Sequence, residues 1–152
     1  VEPEILIGEV PRLVGLDGKA KMSKSLNNAI FLSDLPETVL EKVKTAVTDP
    51  ARIRKTDPGH PEVCAVYAYH GFYNKEEQPE ICAACRAGTI GCGECKNKLT
   101  AKLNTFMDPI REKRAYYEAN PQVVDAIIAD GSEAARREAR KTMDMVREAM
   151  KI

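Results

Sequence analysis

Two groups of residues in this 152-residue sequence have types and spacings that suit chemistry. The first lies in GLDGKAKMSKSLNNAI, residues 15–30, where Lys21 and Lys24 stand on a glycine- and serine-rich loop with nothing in the local sequence to neutralise them. Small residues let backbone N–H groups and ammonium heads close around a polyphosphate, and a following helix N-terminus adds a favourable dipole. Lysines on such a loop can meet charge as it develops on a transferring or leaving phosphate, which stabilises a transition state more than a ground state. The plain alternative is a solvated surface loop. The second group is the cysteines Cys64, Cys82, Cys85, Cys92 and Cys95, the last four within residues 82–95. An odd number, tight spacing and no secretory signal read as metal or cluster binding in a cytoplasmic protein rather than as disulfides. Cys82-x2-Cys85 followed six residues later by Cys92-x2-Cys95 forms a double CxxC, a layout that suits tetrahedral Zn²⁺. Unmetallated structural thiols are the other reading.

The elements that must position these groups are mainly helical. Hydrophobic residues make up 43%, enough for one ordinary core or two small ones. Charge is high at 30% but balanced, 23 basic against 23 acidic side chains, so attraction to nucleic acid must come from local patches. No apolar run approaches the roughly 20 residues that span a bilayer, so no membrane partner is expected. A chain opening on Val1 is expected to be a fragment or a processed product. Residues 1–14 hold the short run ILI between breakers and read as a short strand or extended arm. Leu32, Leu35, Val39, Val43, Ala46 and Val47 recur at helical spacing, with Asp34 as expected N-cap and Pro36 in the first turn. Residues 48–62 read as a turn-rich connection, 62–73 as a short helix, and 82–95 as too polar and glycine-rich to be helical throughout. From Lys96 a helix runs to about Ala119. A second follows Asn120-Pro121 and stops at Gly131, and a third starts at Ser132, with Ala135, Ala139, Thr142, Val146 and Ala149 or Met150 on one face.

Lys21-Met22-Ser23-Lys24-Ser25 spells the KMSKS signature of class I aminoacyl-tRNA synthetases. Residues 11–34, PRLVGLDGKAKMSKSLNNAIFLSD, resemble the same region of bacterial tryptophanyl-tRNA synthetases. The resemblance continues through TDPARIRKTDPGHPEVC, CRAGTIGCGECK and PIREKRAYYEANP to the end of the chain. It implies a fold: a helical bundle of the anticodon-binding type, residues 35–152, preceded by a short strand-and-loop remnant of the Rossmann catalytic domain, residues 1–34. It also implies roles. Lys21 and Lys24 would be catalytic, stabilising pyrophosphate oxygens as tryptophan attacks the α-phosphorus of ATP, with Mg²⁺ accompanying the nucleotide. Met22, Ser23 and Ser25 would complete ATP binding, and Asp17 and Gly18 would shape the turn into the loop. The HIGH-type motif of the nucleotide-binding half is missing. The two histidines, His60 and His70, stand in PGHPE and YAYHGFY, so the chain alone is not expected to activate tryptophan.

The resemblance also implies a ligand set that competes with the double CxxC. Some members of the family hold a [4Fe–4S] cluster with a cysteine after the DPG turn and a later Cys-x6-Cys-x2-Cys run. Here that set is Cys64, Cys85, Cys92 and Cys95, with twenty residues between the first two and Cys82 left over. Gly88, Gly91 and Gly93 would let the backbone wrap closely and donate N–H groups to sulfur. Zn²⁺ remains the alternative cofactor, within an RNA-interaction module that lacks catalysis. The partner the family implies is tRNA(Trp), its anticodon read as a splayed single strand with basic side chains on phosphates. Lys96 and Lys98 are the first candidates for such contacts and Arg52 and Arg54 a second pair. The mixed-charge clusters around Arg111 and Arg136 read first as solvated helix faces. Full-length members are homodimers through the catalytic half, so a fragment of this kind is expected to be monomeric.

Overall fold

A computed structural model describes residues 2–8 and 12–152. Among them are five α-helices: α1 (Pro36–Thr45), α2 (Ala65–Tyr73), α3 (Gln78–Arg86), α4 (Cys92–Ala119) and α5 (Pro121–Met150), with a 3₁₀ turn at Pro61–Val63 before α2. No strand occurs among the described residues. A single antiparallel bridge, Val14 to Lys21, closes the lysine loop. The mainly α class expected from the sequence is what forms. The ILI segment forms no regular secondary structure and is exposed, with Leu6 96% accessible. Pro11, at the head of the KMSKS-containing block, lies outside the described residues.

The chain divides into two compact units, residues 1–110 and 111–152. The first is built on one apolar core of Leu16, Val39, Val43, Ala46, Val66, Tyr69, Leu99, Leu103 and Met107. Packed against it are Leu13, Met22 and Ile30 from the lysine loop and Cys64 and Cys95 from the cysteine-bearing segments. The core therefore runs across the 34/35 position and supports both chemical groups at once. Tyr69 ties the two levels together, its hydroxyl donating to the Val14 carbonyl.

Several helix limits differ from the sequence reading. Asp34 does not cap α1. Leu35 holds the N-cap place, and Pro36 has no N–H to satisfy. Asp34 instead accepts the Phe31 N–H at 2.8 Å and pairs with Lys42 at 2.6 Å, one residue too early to cap. The helix expected over 62–73 begins three residues later, because Pro61 opens a 3₁₀ turn and Cys64 becomes the N-cap. Residues 82–95 resolve into the last turns of α3, a glycine turn and the first turn of α4. Gly88 makes that break: its φ is +69°, and a Cβ there would stand 2.4 Å from the Thr56 carbonyl oxygen.

The second unit holds the end of α4 and all of α5. The expected stop at Gly131 and restart at Ser132 do not occur, and α5 runs through both. Gly131 keeps ordinary helical backbone, and the good helix formers around it carry the helix across a residue that weakens it by only about 1 kcal/mol. Asn120 opens α5 and its side-chain amide donates to the Tyr116 carbonyl at 2.7 Å. The face expected over Ala135, Ala139, Thr142 and Val146 exists on the helix but is exposed, and no described residue of α5 is buried.

Candidate functional site: lysine loop and cysteine centre

The lysine loop is organised around a buried side chain, Asn28. Its amide nitrogen donates to Asp17 Oδ2 at 2.8 Å and reaches the Lys21 carbonyl at 3.3 Å. Its amide oxygen accepts the Ser23 N–H at 2.7 Å, and its backbone carbonyl accepts the Leu16 N–H at 2.9 Å. Gly15 is glycine because a Cβ would lie 2.1 Å from the Asn28 amide nitrogen. Asp17 accepts the N–H groups of Lys19 and Ala20 through its other oxygen, and Gly18 turns the chain at φ +69°. These donors, Lys19 N–H first and the Asn28 amide next, hold the Asp17 carboxyl below its usual range. The Ser23 and Ser25 hydroxyls are 3.0 Å apart, and Asn27 takes a left-handed turn at φ 50°.

On this braced frame Lys21 and Lys24 are exposed, and neither has an ion pair among the described residues. Met22 faces the core. The loop therefore presents two free ammonium groups and two hydroxyls from a backbone that is already ordered, an arrangement suited to an anionic ligand. Beside it lies an open depression of about 510 Å³, lined by Asp17, Asn27, Asn28 and Lys42 among others.

The cysteine centre is assembled from three places. Cys64 sits at the N-terminus of α2, Cys85 in the last turn of α3, and Cys92 and Cys95 in the first turn of α4. All are half-buried and none is in a disulfide. Burial raises the Cys64 thiol, while the N–H groups of Tyr67, Val66 and Asp49 favour its thiolate. Burial also raises Cys85, opposed by the charge of Arg52. Cys95 is pushed up to about 12, first by burial and then by the charges of Cys64, Cys85 and Cys92. These four thiols therefore share one electrostatic neighbourhood. Cys82 interacts with the Tyr67 hydroxyl and the Arg86 guanidinium, raising the pKa of both. As they stand, no three His, Cys, Asp or Glu donors among the described residues are gathered tightly enough to hold a metal ion.

The surroundings suit sulfur. Arg52 Nη1 lies 3.7 Å from Cys85 Sγ and 3.8 Å from Cys92 Sγ. His70 is fully buried. Asn74 donates to its Nδ1 at 3.1 Å, which leaves Nε2–H to donate toward the Cys95 carbonyl at 3.2 Å and Sγ at 3.4 Å. The 48–60 loop is pinned by Asp49, which accepts both the N–H and Nδ1 of His60 at 2.8 Å. Gly59 lies against Cys85, whose sulfur would be 2.6 Å from a Cβ at that position. The donor chemistry gathered here is of the thiolate type: four thiols in one neighbourhood, with N–H groups and one cationic head directed at sulfur.

The basic residues singled out from the sequence separate in the structure. Lys96 donates to the Lys44 carbonyl at 2.7 Å and Lys98 pairs with Glu77 at 3.3 Å, so both heads are engaged inside the fold. Arg52 turns to the cysteines, whereas Arg54 is exposed. Asn28, His70 and Gly59 are the site residues that sequence reasoning missed. Their only signals were an asparagine just past KMSKS, a histidine one helical repeat past Cys64, and the glycine of the DPG turn.

Comparison with known proteins bears on the family and the fold. Residues 1–108 match the family model described as tRNA synthetases class I (W and Y). Tryptophan–tRNA ligase of Aquifex aeolicus is 44% identical over 99% of this chain and 38% of its own length. That of Treponema pallidum is 47% identical over 97% of this chain and 44% of its own. The crystal structure of tryptophanyl-tRNA synthetase from Campylobacter jejuni, complexed with ADP and tryptophan, superposes with a TM-score of 0.83 at 29% identity, covering 95% of this chain and 44% of that one. The chain thus spans less than half the length of these relatives. A helical fold shared with a solved synthetase and a family match over residues 1–108 place this chain among the class I tRNA synthetases of the W and Y type.

Proposed function

We propose that this chain is the C-terminal part of a tryptophan–tRNA ligase, acting on tRNA(Trp), ATP with Mg²⁺, and tryptophan. The observation that carries the reading is the pair of unpaired lysines, Lys21 and Lys24, on a loop braced by Asn28, within a chain whose relatives bear that name across nearly its whole length. Lys21 and Lys24 stabilise the leaving pyrophosphate, and Ser23 and Ser25 donate to nearby phosphate oxygens, while Met22, packed on the core rather than facing the nucleotide, anchors the loop. Residues 1–34 serve the catalytic end and residues 35–152 the tRNA end, with Arg54 a better phosphate contact than the internally engaged Lys96 and Lys98. Amino-acid activation requires a HIGH-bearing half in addition to these residues.

The test is a chimera in which this chain follows the N-terminal half of the Aquifex aeolicus relative. Tryptophan-dependent exchange of pyrophosphate into ATP is expected. Lys24→Ala lowers kcat by about 10²–10³-fold with a smaller change in KM. A chimera that is folded yet inactive, or unaffected by Lys24→Ala, would remove the reading.

We infer further that Cys64, Cys85, Cys92 and Cys95 hold a [4Fe–4S] cluster. The shared charge neighbourhood of these four thiols supports that set, and the separate bonding of Cys82 weighs against zinc on the double CxxC. Such a group supplies structural cross-linking and, where exposed to a partner, one-electron chemistry. Iron, sulfide and zinc content after anaerobic purification distinguishes the two. About four irons per chain, lost on Cys64→Ser but kept on Cys82→Ser, is the expected result. One zinc, lost on Cys82→Ser, would replace it with the zinc-bearing RNA module.

A further inference from the structure

Arg52 belongs to a loop of alternating character. Its neighbour Arg54 is exposed, as a surface arginine ordinarily is. Arg52 is drawn inward, its side chain bonding to its own loop and to the turn between α3 and α4 and facing two cysteine sulfurs. Nη2 donates to the Lys55 carbonyl at 2.5 Å on its own loop and to the Ile90 carbonyl at 2.6 Å on the turn between α3 and α4. Nη1 then faces the Cys85 and Cys92 sulfurs at 3.7 and 3.8 Å. Nε is buried without a partner, so the guanidinium is held by its fork alone. One nitrogen, Nη2, holds both carbonyls, which leaves the other, Nη1, to face the two sulfurs. A lysine, with one ammonium, cannot hold the carbonyls and face the sulfurs at once.

We propose that Arg52 is a positioning residue of the cysteine centre, its guanidinium bridging Cys85 and Cys92 to seat and tune the metal group they bind. The proposal rests on the iron–sulfur reading above. A set of four thiolates is negative, and a cation with N–H groups aimed at sulfur favours the more negative, reduced state of whatever they hold. The same bonds tie the 48–60 loop to the turn between α3 and α4, so the arginine links a charge effect to a mechanical one. The alternative role, a phosphate contact for RNA, would require Arg52 to give up all four of these interactions.

The 152-residue chain, reconstituted without oxygen with ferrous iron and sulfide, provides the test, comparing wild type with Arg52→Gln and Arg52→Lys. Iron content, midpoint potential and the rate at which visible colour bleaches in air are measured. Arg52→Gln is expected to move the potential to more negative values and to bleach about 10–100-fold faster, the usual penalty for losing an outer-shell partner. Arg52→Lys keeps the charge without the fork, so it bleaches faster with a smaller shift in potential. A four-iron wild type whose potential and bleaching rate are unchanged in the variants overturns the role of Arg52 and leaves the cluster reading intact. Arg52→Lys values equal to wild type do so even if Arg52→Gln does not fold. A wild-type chain that takes zinc, or no iron, overturns both.

Discussion

Asn28 shows how much of the lysine loop hangs on one uncharged residue. Removing its side chain strips Ser23 N–H of its acceptor and Asp17 of a donor in a site where water has limited access. Asn28→Ala is therefore expected to destabilise the chain by about 1–3 kcal/mol, read as a lower melting temperature. Gly15→Ala should act in the same direction, since its Cβ would collide with that amide. Asp17 makes the same frame sensitive to acid. The Lys19 N–H and the Asn28 amide hold its carboxyl below the usual aspartate value of about 3.9, so the folded loop favours the ionised form. The stabilisation is present above that value and is lost as pH falls through the folded pKa. Amide exchange at Lys19 and Ala20 should accelerate below about pH 4 in wild type and be independent of pH there, after correction for intrinsic rates, in Asp17→Asn.

At the scale of elements, two glycines that look alike in sequence do opposite things. Gly88 ends α3 in left-handed backbone against the Thr56 carbonyl, whereas Gly131 lies inside α5 with open space around it. Gly131→Ala is expected to stabilise the helix by about 0.5–1 kcal/mol, and Gly88→Ala to destabilise by more than that. Urea unfolding of the two variants checks the opposite signs. The sequence around Gly131 predicts two helices because a glycine followed by serine is a common stop and start. Nothing local distinguishes that from a glycine carried along by its helical neighbours. Asp34 was misplaced for a similar reason. Its spacing suits a cap, but the cap position is taken by Leu35 and the carboxylate is drawn to Phe31 N–H and Lys42.

For the whole molecule, one core serves both chemical groups. Leu99 is 2% exposed within it, and Met22, Cys64 and Cys95 all pack against the same cluster. Leu99→Ala is expected to lower stability by about 2–5 kcal/mol and to loosen the lysine loop and the cysteine centre together. Amide exchange in the loop and iron retention, followed in the same variant, test that coupling. If the loop were unaffected while the centre failed, the two would not share a foundation. Every residue of this core lies before Ile110. A chain ending there is expected to keep a cooperative thermal transition by circular dichroism.

From the sequence alone came the helical class, the identity of the KMSKS residues, the cysteines and their spacing, and the turn-rich connection at 48–62. Each of these is a local property: a period of 3.6 residues, a string of small and basic side chains, an interval between thiols, a run of prolines. Tertiary structure decided which four of five cysteines share a neighbourhood, that Arg52 faces sulfur while Arg54 faces solvent, and that Asn28 braces the loop. Asn28 braces its own loop across only 5 to 11 positions, but the cysteine centre depends on residues brought together from 33 and 40 positions apart, as Arg52 is to Cys85 and Cys92. Such pairings are set by how helices pack on a common core, and no pattern within a single segment encodes them.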